Sequence, residues 1–323
     1  MNVKYSIITP VFNRADCIGR CIESVIRNLN YNLNIEHIIV DDGSNDDSVS
    51  IVEQYKNKFN HIKFIRFIEN KGPNAARNAA INMASGTFCI LLDSDDYFIE
   101  DAIKKINDLI ERYSYDYYLC VRNTCVPYIE NNDLLKGCKI KLLHFIDFLR
   151  GKISGDFVHI IKTSLLKSNP FDEQCRIYES VFLFRIYKEI QNIFFMNEVI
   201  LICDRKRTDS VIRSSFRSSK IAIAREIRSL NLWLDWFAND CIENELYYIL
   251  ISKYKRLFED YLLLEDYVNA KKQFDVINSY DDKNIQIHLK IIYYMHLGGL
   301  FRNMIKIYQR LKYDIMKKSL RYS

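Results

Sequence analysis

The chain has 323 residues with a formal net charge of +5; 49% are hydrophobic and 27% charged. This balance excludes disordered and collagen-like classes and leaves room for two packed units. With 9 Gly and 4 Pro the chain carries neither G-x-G-x-x-G nor G-x-x-x-x-G-K-[ST], which argues against a dinucleotide dehydrogenase and a P-loop kinase.

In chain order, Tyr5 to Thr9 reads as a strand, and Ile18, Ile22, Val25, Ile26 and Leu29 then mark the apolar stripe of a helix. His37 to Val40 is the next strand, followed by a helix through Val49, Ile51, Val52, Tyr55 and Phe59. Ile62 to Phe67 is a third strand, Asn74 to Ala84 a helix of small residues, and Thr87 to Leu92 a fourth strand. Ile103, Ile106, Ile110 and Tyr113 give another helix before the strand Tyr117 to Val121. Such βαβα alternation predicts a Rossmann-like α/β fold, a mostly parallel sheet with helices on both faces. In such sheets ligands bind beyond the carboxyl ends of the strands.

From Leu134 to Ser214 the pattern is mixed, with one clear strand at Glu198 to Cys203. Beyond Phe216 it is helical, with breaks at Asn239 to Asn244, Asp281 to Asn284 and Gly298 to Gly299, and helix pairs without a traceable repeat. The expected organisation is a catalytic domain over 1–215 and a helical appendage over 216–323. The last stretch, Phe301 to Ser323, carries seven basic residues and one acid, Asp314. Phe301, Met304, Ile305, Tyr308, Leu311 and Ile315 recur at helical spacing, with Arg302, Lys306 and Arg310 on another face. That arrangement suits an amphipathic helix against anionic headgroups, and equally a solvated terminal helix packed on its neighbour.

The nine cysteines are odd in number and include no C-x-x-C pair, the N-terminus lacks the build of a secretory signal, and no window of about 18 apolar residues would span a bilayer. Free thiols and a cytoplasmic location are therefore expected. Cys17 and Cys21, four apart on one helical face, suit a metal or a buried core, the second being the commoner fate of free cysteine.

Two strands run into acids. One leads to Asp41-Asp42-Gly43-Ser44 and the other to Asp93-Ser94-Asp95-Asp96. Clustered carboxylates repel unless a cation or hydrogen-bond donors offset them, and Mg²⁺ or Mn²⁺ held by one or two carboxylates plus phosphate oxygens does so. Taken singly, Asp95 or Asp96 could cap a helix starting near Ile99, and Asp41 to Ser44 could be an acidic turn. Both clusters at strand ends two β-α units apart point to a nucleotide-diphosphate site.

Ile7-Ile8-Thr9-Pro10-Val11-Phe12-Asn13-Arg14, Val40-Asp41-Asp42-Gly43-Ser44, Asn70-Lys71-Gly72-Pro73-Asn74-Ala75-Ala76-Arg77-Asn78, Ala84-Ser85-Gly86-Thr87-Phe88 and Leu92-Asp93-Ser94-Asp95-Asp96 follow one another in order. Together they resemble the signature of family 2 glycosyltransferases of the bacterial surface-polysaccharide type, closely over residues 3 to 125 and loosely to 213. The resemblance implies a GT-A fold and transfer with inversion. It implies Pro10 and Phe12 around the nucleobase with Asp42 accepting from its imide, Asp93 at the ribose, Ser94 among the donor-binding residues, and Asp95 on a divalent metal, Mn²⁺ or Mg²⁺. It further places Lys71 and Arg77 near the donor phosphates or sugar; an ion pair on the helix surface is the plainer role for Arg77.

An inverting displacement needs a carboxylate to take the acceptor proton. Aligning Arg185 with the family's arginine puts Glu179 at the base position, in a Tyr178-Glu179 pair that departs from the usual Glu-Asp. The start of an apolar helix would keep Glu179 ionised, and Asp172 and Asp156 are the alternatives. Gly155 to His159 resembles an acceptor-lining stretch, although a lone His159 is more often structural. The basic run Asp204 to Ser210 resembles a loop that closes over the donor, with Arg207 and Ser210 on phosphate, or is a solvated turn.

The reading that follows is a hexosyl- or N-acetylhexosaminyltransferase using a nucleotide-diphosphate sugar, UDP in the first place, on a lipid-diphosphate-linked saccharide in O-antigen or capsule biosynthesis. It acts at the inner face of the cell membrane and has no nucleic-acid partner; an oligomer stays open. A nucleotidyltransferase and a non-catalytic member of a membrane-bound polysaccharide assembly are the competing readings.

Overall fold

The computed structural model describes residues 4–31, 33–176, 178–203, 219–280 and 285–319. The chain divides into two compact units, Met1–Arg207 and Thr208–Ser323.

The first unit is built on one nine-stranded sheet. Its opening half is β1 (Tyr5–Val11), α1 (Ile18–Arg27), β2 (Ile35–Asp41), α2 (Ser48–Lys58), β3 (Ile62–Arg66), α3 (Pro73–Met83) and β4 (Phe88–Leu91). These four strands are mutually parallel in the order β3-β2-β1-β4. Their residues are apolar and β-branched on both faces because helices cover both sides, the pattern of a buried parallel sheet. Ile18, Ile22 and Val25 of α1 bury against Tyr5, Ile7, Ile39 and Ile90.

The second half is β5 (Asp96–Phe98), α4 (Ala102–Arg112), β6 (Tyr117–Arg122), α5 (Val126–Glu130), β7 (Ile140–His144), α6 (Phe145–Leu149), β8 (Val158–Lys162), α7 (Thr163–Ser168), α8 (Glu179–Ile190) and β9 (Asn192–Cys203). The sheet continues from β4 through β8, β6 and β9 to β5, with β7 also on β9. Here β6 and β9 are parallel, while β8 runs antiparallel to both β4 and β6. His159, at the end of the stretch that resembles an acceptor lining, lies in strand β8. Asp95 and Asp96 do not cap the following helix. Asp96 opens β5 opposite Cys203, and α4 starts at Ala102 behind Asp101, whose φ is 65°.

The second unit is helical: α9 (Lys220–Glu243), α10 (Tyr247–Leu264), α11 (Tyr267–Tyr280), α12 (Ile287–Tyr294) and α13 (Gly298–Ser319). Three corners share one construction. Glu245, Glu265 and His296 sit at φ 59°, 65° and 56°. The next amide in each case reaches back to the last helical turn, Leu246 to Cys241 O (2.7 Å), Asp266 to Tyr261 O (2.9 Å) and Leu297 to Ile292 O (3.0 Å). These are left-handed helix endings of the type usually given to glycine. Gly298 and Gly299 begin α13 rather than break the chain, and the break expected at 239–244 overlaps the last turn of α9, the actual turn following at 244–246. The break expected at 281–284 lies outside the described residues.

Candidate active site

The parallel ladder sets Pro10 against Val40 and Val11 against Asp41, so β1 and β2 end together. Strand β4 runs beside β1 in the same direction. Both acidic clusters thus leave the sheet at its carboxyl edge, with Phe12 exposed beside them. The Asp42 amide donates to Val11 O (2.7 Å).

Asp42 is buried and takes two backbone N–H groups, from Lys71 to Oδ1 (2.7 Å) and from Gly72 to Oδ2 (2.8 Å). Burial nevertheless raises its carboxyl above the ordinary value, against these two bonds. The Lys71 side chain lies over the Phe67 ring at 5.2 Å, close to the Asp42 loop. Gly72 has φ 100°, and a Cβ there would come within 2.7 Å of Arg176 Nε. Arg176 donates to Asn70 Oδ1 and is the cation that opposes the rise of Asp42. No motif marks Arg176 in the sequence; only the invasion of space above Gly72 reveals it.

At the end of β4 a chain of alternating charge runs through the site. Arg77 of α3, almost fully buried, donates to Asp93 Oδ1 (3.0 Å) and lies 3.9 Å from Glu179 Oε2. Arg122, buried at the end of β6, donates to Asp96 Oδ2 (2.9 Å) and Asp156 Oδ2 (3.2 Å), and stands 3.6 Å from Asp93 Oδ2. Burial works against the ionisation of Asp93, but Arg77 and Arg122 outweigh it and hold its carboxyl below the usual range. Burial pushes Asp96 up to about 7; Arg122 opposes this, and neighbouring Asp93 and Asp95 reinforce it. The repulsion expected within Asp93 to Asp96 is thus offset in part by two arginines from other elements. Arg77 is no surface ion pair but a buried bridge between two carboxylates.

Glu179 is the first residue of α8. The helix start was expected to favour its ionised form, yet burial prevails and raises its carboxyl, with Arg77 pulling the other way. The alternative acids are differently placed. Asp156 is held directly by Arg122, and Asp172 Oδ1 accepts the Cys175 amide in a turn (3.0 Å). His159 Nδ1 meets the Tyr117 hydroxyl at 2.9 Å, and burial pushes the ring down to about 3, so it is a neutral strand residue. Cys17 and Cys21 are buried core thiols. Arg207 and Ser210 lie outside the described residues.

Among the described residues, no group of three or more His, Cys, Asp and Glu side chains is arranged to hold a metal unaided. Asp95 stands half-buried in the turn between β4 and β5, with Ser94 buried beside it, and Asp96 Oδ1 is buried without a hydrogen-bond partner. Hard carboxylate oxygens at one edge, to be completed by phosphate oxygens, are the donor set that suits Mg²⁺ or Mn²⁺.

Comparison with known proteins agrees with this architecture. Over 322 residues the chain is 27% identical to the GalNAc(5)-diNAcBac-PP-undecaprenol beta-1,3-glucosyltransferase of Campylobacter jejuni, covering 97% of this chain and 99% of that one. The crystal structure of Staphylococcus aureus TarS 1-349 in complex with UDP-GlcNAc superposes with a TM-score of 0.58 at 18% identity, covering 95% of this chain and 92% of that one. The mannosyltransferase PcManGT of Pyrobaculum calidifontis, solved with GDP-Man and Mn²⁺, gives 0.53 at 14% identity over 98% and 86% of the two chains. These likenesses show the GT-A fold. Residues 6–158, which hold the parallel half-sheet and both acidic clusters, match the model of Glycosyl transferase family 2, so the protein is a glycosyltransferase with a domain similar to that family.

Proposed function

We propose that the enzyme transfers a hexose or N-acetylhexosamine from a UDP-sugar to a hydroxyl of a lipid-diphosphate-linked saccharide, with inversion, during assembly of an O-antigen or capsule type of surface polysaccharide. One observation carries the reading: the line of charge from Glu179 through Arg77 to Asp93 joins a basic carboxylate to the donor edge of the sheet. The named activity of the Campylobacter relative, a transfer to an undecaprenyl-diphosphate saccharide, supports the acceptor class and a place of action at the inner membrane surface. The UDP-GlcNAc complex of TarS supports the donor class.

In this reading Pro10 and Phe12 flank the base and Asp42 accepts from its imide. Asp93, held between two arginines, and Ser94 meet the ribose. Glu179 takes the proton of the attacking hydroxyl; burial raises its carboxyl and with it the affinity for that proton, while Asp156 is engaged by the Arg122 guanidinium. Arg77 fixes that carboxylate and, with Lys71, faces donor phosphate or sugar, while Arg207 and Ser210 complete the phosphate contacts. Mn²⁺ or Mg²⁺ held by Asp95 would offset the charge of the departing diphosphate. The 1–215 region forms the catalytic domain, and the helical region beyond it serves surface or partner binding.

The test is a panel of nucleotide sugars, with Mn²⁺ or a chelator, scored for release of UDP. A single sugar should give slow hydrolysis that Glu179→Gln lowers about 100- to 10,000-fold. Release of pyrophosphate, or full activity in Glu179→Gln, would overturn the assignment.

A further inference from the structure

We propose that the outward face of the α12–α13 hairpin docks on an anionic lipid surface. The proposal gives a surface to the membrane location argued above and rests on that reading for its setting.

The helical tail was expected to turn Phe301, Met304, Ile305 and Tyr308 to one side. The structure divides them. Phe301 packs inward with Ile292 and Tyr293 against the core of Phe258, Leu262 and Leu289, and Arg302 is tied down by Leu263 O and Glu265 Oε1. What faces out is a second stripe, Leu300, Met304, Ile307 and Tyr308, each between 58% and 65% exposed. On the preceding helix Ile287, Ile291, Tyr294 and the adjoining Met295 are also exposed, between 48% and 78%. Both sets follow the spacing i, i+4, i+7, i+8, one face of a helix. Surfaces this apolar on two successive helices mark an interaction site rather than scattered exposure.

Charge selects the occupant. Between Ile285 and Tyr313 the sequence holds no Asp or Glu, while Lys290, Arg302, Lys306, Arg310 and Lys312 fall within it. Tyr294 and Tyr308 have the amphipathic rings that favour the headgroup level. An apolar face on a stretch whose own charges are all cationic, with Glu265 reaching it from the preceding corner at Arg302, is the build of an interfacial helix, attracted by acidic lipid and anchored by apolar burial. A protein partner or a second copy of this chain would need an acidic counterface, and this stretch offers none of its own.

The full chain is to be sedimented with vesicles of phosphatidylcholine with and without phosphatidylglycerol, at about 0.1 M and about 0.5 M salt. Binding is expected to the anionic vesicles, weakened by salt, and at least about tenfold poorer for Ile291→Asp and Ile307→Asp. Thermal melting and UDP release from a soluble donor should be unchanged in both variants, since neither side chain enters the core. No vesicle binding, binding equal in the variants, or a dimer that Ile307→Asp dissociates without any vesicle binding would each overturn the proposal. UDP release without vesicle binding sinks the docking surface and leaves the reaction standing; vesicle binding without release does the reverse.

Discussion

At the residue scale, the site's chemistry is set by which carboxylates keep a cation. Glu179 has Arg77 only at 3.9 Å, and burial lifts it above its ordinary 4.5. A base must be ionised to act, so the acid limb of the kcat/KM profile should lie above the position an ordinary glutamate would give. Arg77 favours the charged form, and its removal must raise the limb further. Arg77→Met is accordingly expected to shift the limb to higher pH while Arg77→Lys keeps it near the wild-type position; a pH series on UDP release checks both. Arg122 answers to three acids, and Arg122→Met leaves buried Asp96 without its partner. Loss of one member of a buried pair costs about 3–5 kcal/mol. Denaturant unfolding should show that loss, and adding Asp96→Asn should restore part of it, because the orphaned charge is then gone.

At the element scale, Gly86 shows how a motif that looks like chemistry does structural work. Its amide donates to Ser6 Oγ (2.9 Å), and a Cβ would sit 2.7 Å from the Ser6 backbone nitrogen. Ser85 and Gly86 also satisfy Glu36, so this turn bolts α3 onto the β1–β2–β4 seam. Gly86→Ala should destabilise by about 1–3 kcal/mol, measured by denaturant midpoint, because the obstacle is backbone that cannot swing away. The opposite substitution belongs to the helical unit. Glu245 is exposed and left-handed, a conformation that costs an L-residue about 1–2 kcal/mol, so Glu245→Gly should stabilise by about 0.5–1 kcal/mol.

Those same elements show what sequence can reveal. Strands β1 to β4 were legible because each is an apolar run closed by turn residues and each alternates with a helix. Strand β8 was not legible, since Val158 to Lys162 is short, and its two antiparallel partners, β4 and β6, lie far back in sequence. The acidic residues of the site announced themselves by position. Arg122 and Arg176 did not, because an arginine's role depends on what the fold brings to it.

For the whole molecule, pH stability is a balance of groups with opposite signs, and one buried histidine allows it to be dissected. His37 is fully buried in β2, with Nε2 at 2.9 Å from Thr9 Oγ1, and burial, helped by His61, pushes it from 6.5 to about 3. Between these values the unfolded chain binds a proton that the folded one refuses, so the stability His37 contributes is present above 6.5 and lost as pH falls towards 3. Asp96 does the reverse. Its folded value of about 7 lies above the ordinary 3.8, so its contribution is present below 3.8 and lost as pH rises through 7. The total slope for the protein therefore hides both, and only a difference between proteins isolates either. One pKa unit corresponds to about 1.4 kcal/mol, so relative to His37→Gln the native chain should lose about 2 kcal/mol between about pH 8 and about pH 5. Relative to Asp96→Asn it should gain over the same interval. Urea unfolding of the three proteins at both pH values measures the two differences. A His37→Gln difference that stays constant with pH would mean that the ring takes up its proton inside the sheet, and the neutral strand histidine would have to be abandoned.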